Sequence, residues 1–212
     1  MLPRRCVACA AGGALLCDVC EAALGGPCTT YVDGLAVQSA CGYGGAARAC
    51  IVAFKERGAR GLVPHLGALL ADAVARTDIG TSVNLVPVPA SPRARRTRGE
   101  DVVRRLAEHA TMELARRGYV ARTLPLLTLR SSPRDQVGLG RAARYDNLRG
   151  RMSAESRTAP SGPVVLVDDV VTTGATLAEA RRALEAAGLT VAAAATVAAT
   201  RASVYRGGYA RA

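Results

Sequence analysis

Apolar residues recur along this chain with two different periods, and the two alternate. In AARACIVAFKERG, Ala47, Cys50, Ile51 and Phe54 fall on one helical face and Gly58 stands at the stop. GLVPHLGALLADAVA repeats the pattern with Leu62, Leu66, Leu69, Leu70 and Val74. A third helix places Val102, Val103, Leu106, Ala110 and Leu114 inward and arginines outward, and Gly118 closes it. Between and after these lie short apolar runs of strand type. SVNLVPVP ends in a Pro-Val-Pro turn at 87–89, ARTLPLLTLR is interrupted at Pro125, and VVLVD covers 164–168. A helix over 176–187 capped by Gly188 and a strand over 190–200 complete the series. Strands alternating with amphipathic helices predict an α/β fold with a mostly parallel sheet flanked by helices. Residues 25–42 are weakly patterned and read as a linker and an entering strand. Residues 131–151 are polar, arginine-rich and contain glycine, and read as a long mobile loop of the kind that often carries function.

Composition sharpens this picture in three ways. The 212-residue chain suits one full-sized domain plus a small module, and no apolar run is long enough to span a bilayer. The N-terminus has no apolar stretch of signal-peptide type, so the expected location is cytoplasmic. The formal net charge of +11 points to nucleic acid or a polyphosphate as partner, or to compositional bias. Scarce aromatics argue against a base-stacking platform. Of 28 lysines and arginines, only Lys55 is lysine. A lone lysine in an arginine-using chain marks a place that needs a compact ammonium, or stands there by chance. Arg93, Arg95, Arg96 and Arg98 form a cluster with three readings: a solvated face, a flank of an anion site, or a nucleic-acid-facing patch.

Seven cysteines in a chain without a secretion signal do not suggest a disulfide framework. Cys6 and Cys9, then Cys17 and Cys20, form two C-x-x-C pairs across a short loop. That spacing is the ligand set of a structural Zn2+ site, against the alternatives of a redox pair or buried thiols. Cys28, Cys41 and Cys50 lack pair spacing and read as small buried residues or relics of a second knuckle.

The chemistry concentrates in VVLVDDVVTTGATL, residues 164–177. Asp168 and Asp169 end an apolar strand, where open parallel sheets bind ligands. Thr172, Thr173, Gly174, Ala175 and Thr176 then lead into a helix N-terminus, whose free N–H groups and positive dipole end favour an anion. Gly174 permits positive φ or close backbone approach. The turn suits a monophosphate, and the carboxylates suit hydroxyls or Mg2+ a few ångströms away. A ligand with a phosphate at one end and vicinal hydroxyls at the other is a 5-phosphoribosyl group. His65 and His109 lie at ordinary helical positions and read as structural.

Val165 to Leu177 resembles the phosphoribosyl-pyrophosphate signature of type I phosphoribosyltransferases. Further marks resemble the ComF family, competence-type proteins that join a zinc finger to a phosphoribosyltransferase domain. They are the four-cysteine module, Tyr43 with Phe54-Lys55-Glu56-Arg57-Gly58, the 87–89 turn, Arg98-Gly99, Gln136, and Arg144 with Asn147. The chain departs from the family in carrying Glu100-Asp101-Val102 where F-N-Q is common, and in its degenerate second knuckle. The resemblance implies a type I phosphoribosyltransferase-like fold, with a zinc module over 1–30 and a phosphoribosyltransferase-like domain over 31–212. It implies that Thr172 to Thr176 hold the 5′-phosphate and that Asp168 and Asp169 meet the ribose hydroxyls, directly or through Mg2+. Pro87, Val88 and Pro89 would form the pyrophosphate-side loop, and Lys55 would contact the pyrophosphate. Arg144 and Asn147 would close over it from a lid. The implied partners are phosphoribosyl pyrophosphate and, for a non-enzymatic competence role, single-stranded DNA and a DNA-uptake helicase.

Overall fold

In the computed structural model of the protein, residues 5–130, 149–155 and 160–200 are described. Gln136, and Arg144 and Asn147 of the expected lid, lie outside them. A six-stranded sheet has the order β1-β2-β8-β7-β3-β4. Its strands are β1 (Cys28–Val32), β2 (Leu35–Gly42), β3 (Ser82–Pro87), β4 (Val120–Thr123), β7 (Val164–Val171) and β8 (Val191–Ala199). Every pairing is parallel except β1 with β2. The mostly parallel sheet flanked by helices is therefore as the hydrophobic pattern predicts.

The sheet buries both faces, which explains why its central strands are continuous apolar runs. On one face pack α2 (Gly45–Arg57), α3 (Val63–Ala75) and α5 (Val102–Arg116). On the other lie α6 (Ala175–Ala186) and a small hairpin of β5 (Leu127–Leu129) and β6 (Met152–Ala154). Cys6, Leu16, Cys20 and Leu24 of the cysteine segment, which includes the short α1 (Asp18–Ala22), belong to the same core as Cys50, Ile51 and Phe54 of α2.

Four elements differ from the sequence pattern. Residues expected to be a linker and one entering strand form the two-stranded β1–β2 hairpin. Its turn is Asp33-Gly34, both at positive φ, the Asp-Gly signal of a tight hairpin. The 121–130 strand breaks at Pro125 into β4 and β5, which belong to different sheets. A short helix, α4 (Pro92–Arg98), carries the arginine cluster; Ser91 Oγ accepts the Ala94 N–H at 3.2 Å and Gly99 closes it at φ 75°. The fourth difference concerns the site. Strand β7 does not stop at Asp168 but runs to Val171, paired with β8 throughout. On its other side the ladder with β3 ends at Pro87 opposite Val167, extended by one bond from Val88 N–H to the Val167 carbonyl. The carboxylates thus lie within a strand, at the level where its neighbour has already ended.

Candidate functional site

Where β3 ends, a cavity of about 350 Å³ opens at the carboxyl edge of the sheet. Its walls come from distant parts of the chain: Tyr43 and Lys55 around α2, Val88 to Ser91 after β3, Ala94 and Arg98 of α4, and Asp168, Asp169, Thr172 and Thr176 of the β7–α6 segment. Of the predicted set, Lys55, Val88, Pro89, Asp168, Asp169, Thr172 and Thr176 meet here. Pro87, buried in β3, does not line it, and neither do Thr173, Gly174 and Ala175 of the turn. A larger cavity of about 620 Å³ runs along α5, but the charges lining it pair with one another, Glu100 with Arg105 and Arg104 with Glu108.

The turn after β7 is shaped as much by packing as by chemistry. Gly174 has φ 82°, and a Cβ there would sit 2.6 Å from Val32 Cγ2. Glycine is required both by the backbone and by the approach of β1. Thr173 Oγ1 accepts the Ala175 N–H at 3.3 Å, so its hydroxyl caps the helix start. The N–H groups of Thr176 and Leu177 have no partner within α6, because Ala178 makes the first intrahelical bond, to the Gly174 carbonyl. Thr176 lines the cavity, and Thr172 stands exposed at its mouth.

The electrostatics centre on Asp169. Only 4% exposed, it carries an ion pair with the Lys55 ammonium. Burial alone would lower the Lys55 pKa, but the charge and hydrogen bond of Asp169, with the charge of Asp168, raise it above the ordinary value. The lone lysine is therefore the internal counterion of a buried acid. Asp168 keeps part of its surface open to the cavity, and its Oδ1 accepts the Asp169 N–H at 2.8 Å. Its carboxyl lies deep enough that desolvation, and then the adjacent Asp169 charge, push its pKa well above the ordinary carboxylate value. Arg98 contributes the second cation, bonded through Nη2 to Glu56 Oε1 at 2.7 Å.

Two features escaped the sequence pattern, the start of α4 at Ser91 and the anchoring role of Asp101. Asp101 caps α5 by accepting the Arg104 N–H at 3.3 Å, and its other oxygen accepts the Ala90 N–H at 2.9 Å, anchoring the cavity wall. The local signals were present: Ser91-Pro92 is a helix start, and Asp101 precedes an apolar periodic run.

In the N-terminal segment, the ligand atoms of Cys6, Cys9, Cys17 and Cys20 lie within 4.8 Å of one another. Tetrahedral zinc with bonds of about 2.3 Å has sulfur–sulfur edges of about 3.8 Å; Cys9 and Cys17 Sγ are 3.6 Å apart. The donor set therefore fits the metal. Backbone hydrogen bonds at Cys17 and Cys9 pull the Cys6 thiol down to about 6. Hydrogen bonds with Cys9 and Cys17 push Cys20 up to about 12. Thiolates crowded this closely need a cation to coexist. Cys41 and Cys50 are fully buried and Cys28 half-buried.

A model of the phosphoribosyl transferase domain family matches residues 100–207. That span contains the β7–α6 segment, but not Lys55, the 87–89 turn, Arg98 or the cysteines. No curated protein matches the chain. No helix among the described residues is long and apolar enough to cross a membrane.

Proposed function

Because the chain belongs to the phosphoribosyl transferase domain family, we propose that its cavity binds phosphoribosyl pyrophosphate with Mg2+ and transfers the phosphoribosyl group to an acceptor. One observation carries this reading. The acid pair Asp168–Asp169 and the two ends of the turn, Thr172 and Thr176, open on a single cavity that also holds Lys55, Val88, Pro89 and Arg98. The 5′-phosphate lies at the α6 start, against free N–H groups and the Thr172 and Thr176 hydroxyls. The ribose hydroxyls face the carboxylates. Magnesium, when bound, offsets charge on the pyrophosphate. It fits Asp168, through water, better than Asp169, which Lys55 already occupies.

In the reaction the bond from ribose C1′ to pyrophosphate oxygen breaks as the acceptor's bond to C1′ forms, pyrophosphate leaves with the electron pair, and the acceptor's N–H proton passes to solvent. The transition state has oxocarbenium character, so no side chain acts as nucleophile. The protein contributes placement and cations near the leaving group. The cysteine cluster holds one structural zinc, to be counted by elemental analysis; a content far below one per chain rejects it.

Incubation with magnesium, phosphoribosyl pyrophosphate and a panel of nucleobases should release pyrophosphate. Silence across the panel removes the transfer step. The exposed arginines Arg93, Arg95 and Arg96 on α4, none with an ion pair among the described residues, favour a second reading: a non-catalytic competence factor binding single-stranded DNA beside this ligand site. That reading requires steeply salt-dependent binding to single strands, and a flat salt titration rejects it.

A further inference from the structure

Two cations line the cavity among the described residues, and they are held very differently. Lys55 is tied to Asp169, whose side chain is 6% exposed. Moving the ammonium onto a ligand phosphate would strand a buried carboxylate, which is strongly unfavourable. Arg98 is tied to Glu56, whose side chain is 61% exposed and can return to water. An exposed pair of this kind costs little to break.

We infer that Arg98, rather than Lys55, is the residue that grips the pyrophosphate of phosphoribosyl pyrophosphate, and that Lys55 is a positioning residue holding Asp169 for the ribose end. The inference rests on the functional reading above and assigns the load within it. Helix α4 is built for the task. Ser91, Ala94 and Arg98 line the cavity, with Ala94 and Arg98 one helical turn apart on a single face. Arg93, Arg95 and Arg96 are exposed. Ser91 caps one end of the helix and Gly99 closes the other, so the guanidinium is presented from a fixed base. Through Nη2 it meets Glu56, its one partner among the described residues, and its planar fork can take two phosphate oxygens at once. The two cations also feel each other: the charge of Arg98 works against protonation of Lys55. A phosphate placed between them would relieve that repulsion without displacing Lys55.

The test uses two probes, phosphoribosyl pyrophosphate and ribose 5-phosphate, each titrated with magnesium into the full chain by calorimetry. Ribose 5-phosphate shares every contact except those to pyrophosphate. Arg98→Ala should weaken phosphoribosyl pyrophosphate by about tenfold to a hundredfold and ribose 5-phosphate by less than about twofold. Arg98→Lys should recover part of the loss, and Glu56→Gln, which frees the guanidinium, should tighten phosphoribosyl pyrophosphate alone. Lys55→Met should weaken both ligands by the same factor. A wild type that prefers phosphoribosyl pyrophosphate, with that preference intact in Arg98→Ala or lost only in Lys55→Met, overturns the inference and leaves the functional reading standing. A wild type that binds neither probe overturns both.

Discussion

Asp169 and Glu179 are both buried acids, 4% and 5% exposed, one on β7 and one on the helix that follows it. Their surroundings are opposite in kind. Glu179 accepts the Met152 N–H at 3.0 Å and two bonds from Arg182 at 2.8 Å each, while Arg182 Nη2 also reaches the Met152 carbonyl at 2.9 Å. Burial would raise its pKa, but Arg182 and the backbone N–H groups of Met152 and Gly150 hold it below the usual carboxylate value. Its hydrogen bonds are closed within the protein, where they staple α6 to the β5–β6 hairpin. Asp169 shares one lysine with a second acid in an open cavity, and that second acid is driven toward its protonated form. A saturated buried carboxylate builds structure. An under-neutralised pair facing a cavity is a candidate for a site that a ligand completes.

The largest effect expected from this contrast is on stability alone. Glu179→Ala leaves the buried Met152 N–H without its partner and a gap between α6 and the hairpin, while Arg182, 44% exposed, can turn to water. It should cost about 3 kcal/mol in urea denaturation, with phosphoribosyl pyrophosphate affinity unchanged in the folded fraction. A large loss of affinity there would erase the distinction between the two acids.

The next effect divides the Lys55–Asp169 pair. Lys55→Met leaves Asp169 without a partner in a place water barely reaches and should cost about 2–3 kcal/mol. Asp169→Asn should cost about 1 kcal/mol or less, because the Lys55 side chain is 29% exposed and its ammonium can reach solvent. Equal costs would mean that the pair is not asymmetric.

The smallest effect has the opposite sign. The raised carboxyl of Asp168 makes its ionisation unfavourable in the folded state. The penalty is absent below the unfolded carboxylate value of about 3.9 and complete above the folded value. Asp168→Asn should therefore raise thermal stability at neutral pH by about 1 kcal/mol, and the gain should vanish in acid, where the native carboxyl is protonated. A gain independent of pH would place its cause elsewhere.

Legibility in the sequence followed locality. The cysteine pairs and the stretch from Asp168 to Thr176 carry their chemistry in adjacent residues, so spacing alone exposed them. Lys55 stood out because the composition made it unique, and its ion pair with Asp169 joins residues far apart in the chain, which no local pattern encodes. Arg98 was visible only as a member of a cluster and of the Arg98-Gly99 mark: among so many arginines, the one that turns into a cavity looks like its neighbours. Glu179 was hidden because an acid on an amphipathic helix reads as a solvent-facing residue. Only the packing of β6 against α6 buries it. The close approach of Val32 to Gly174 likewise joins a strand and a turn far apart in the chain, and no local pattern encodes it.

The central claim is that the acid pair and the turn after it form one ligand site. Titrating phosphoribosyl pyrophosphate with magnesium into the wild type and into the Asp168→Asn, Asp169→Asn double variant, both verified as folded, tests it directly. The account predicts saturable binding to the wild type and none detectable to the double variant. Equal affinity for the two proteins would contradict it.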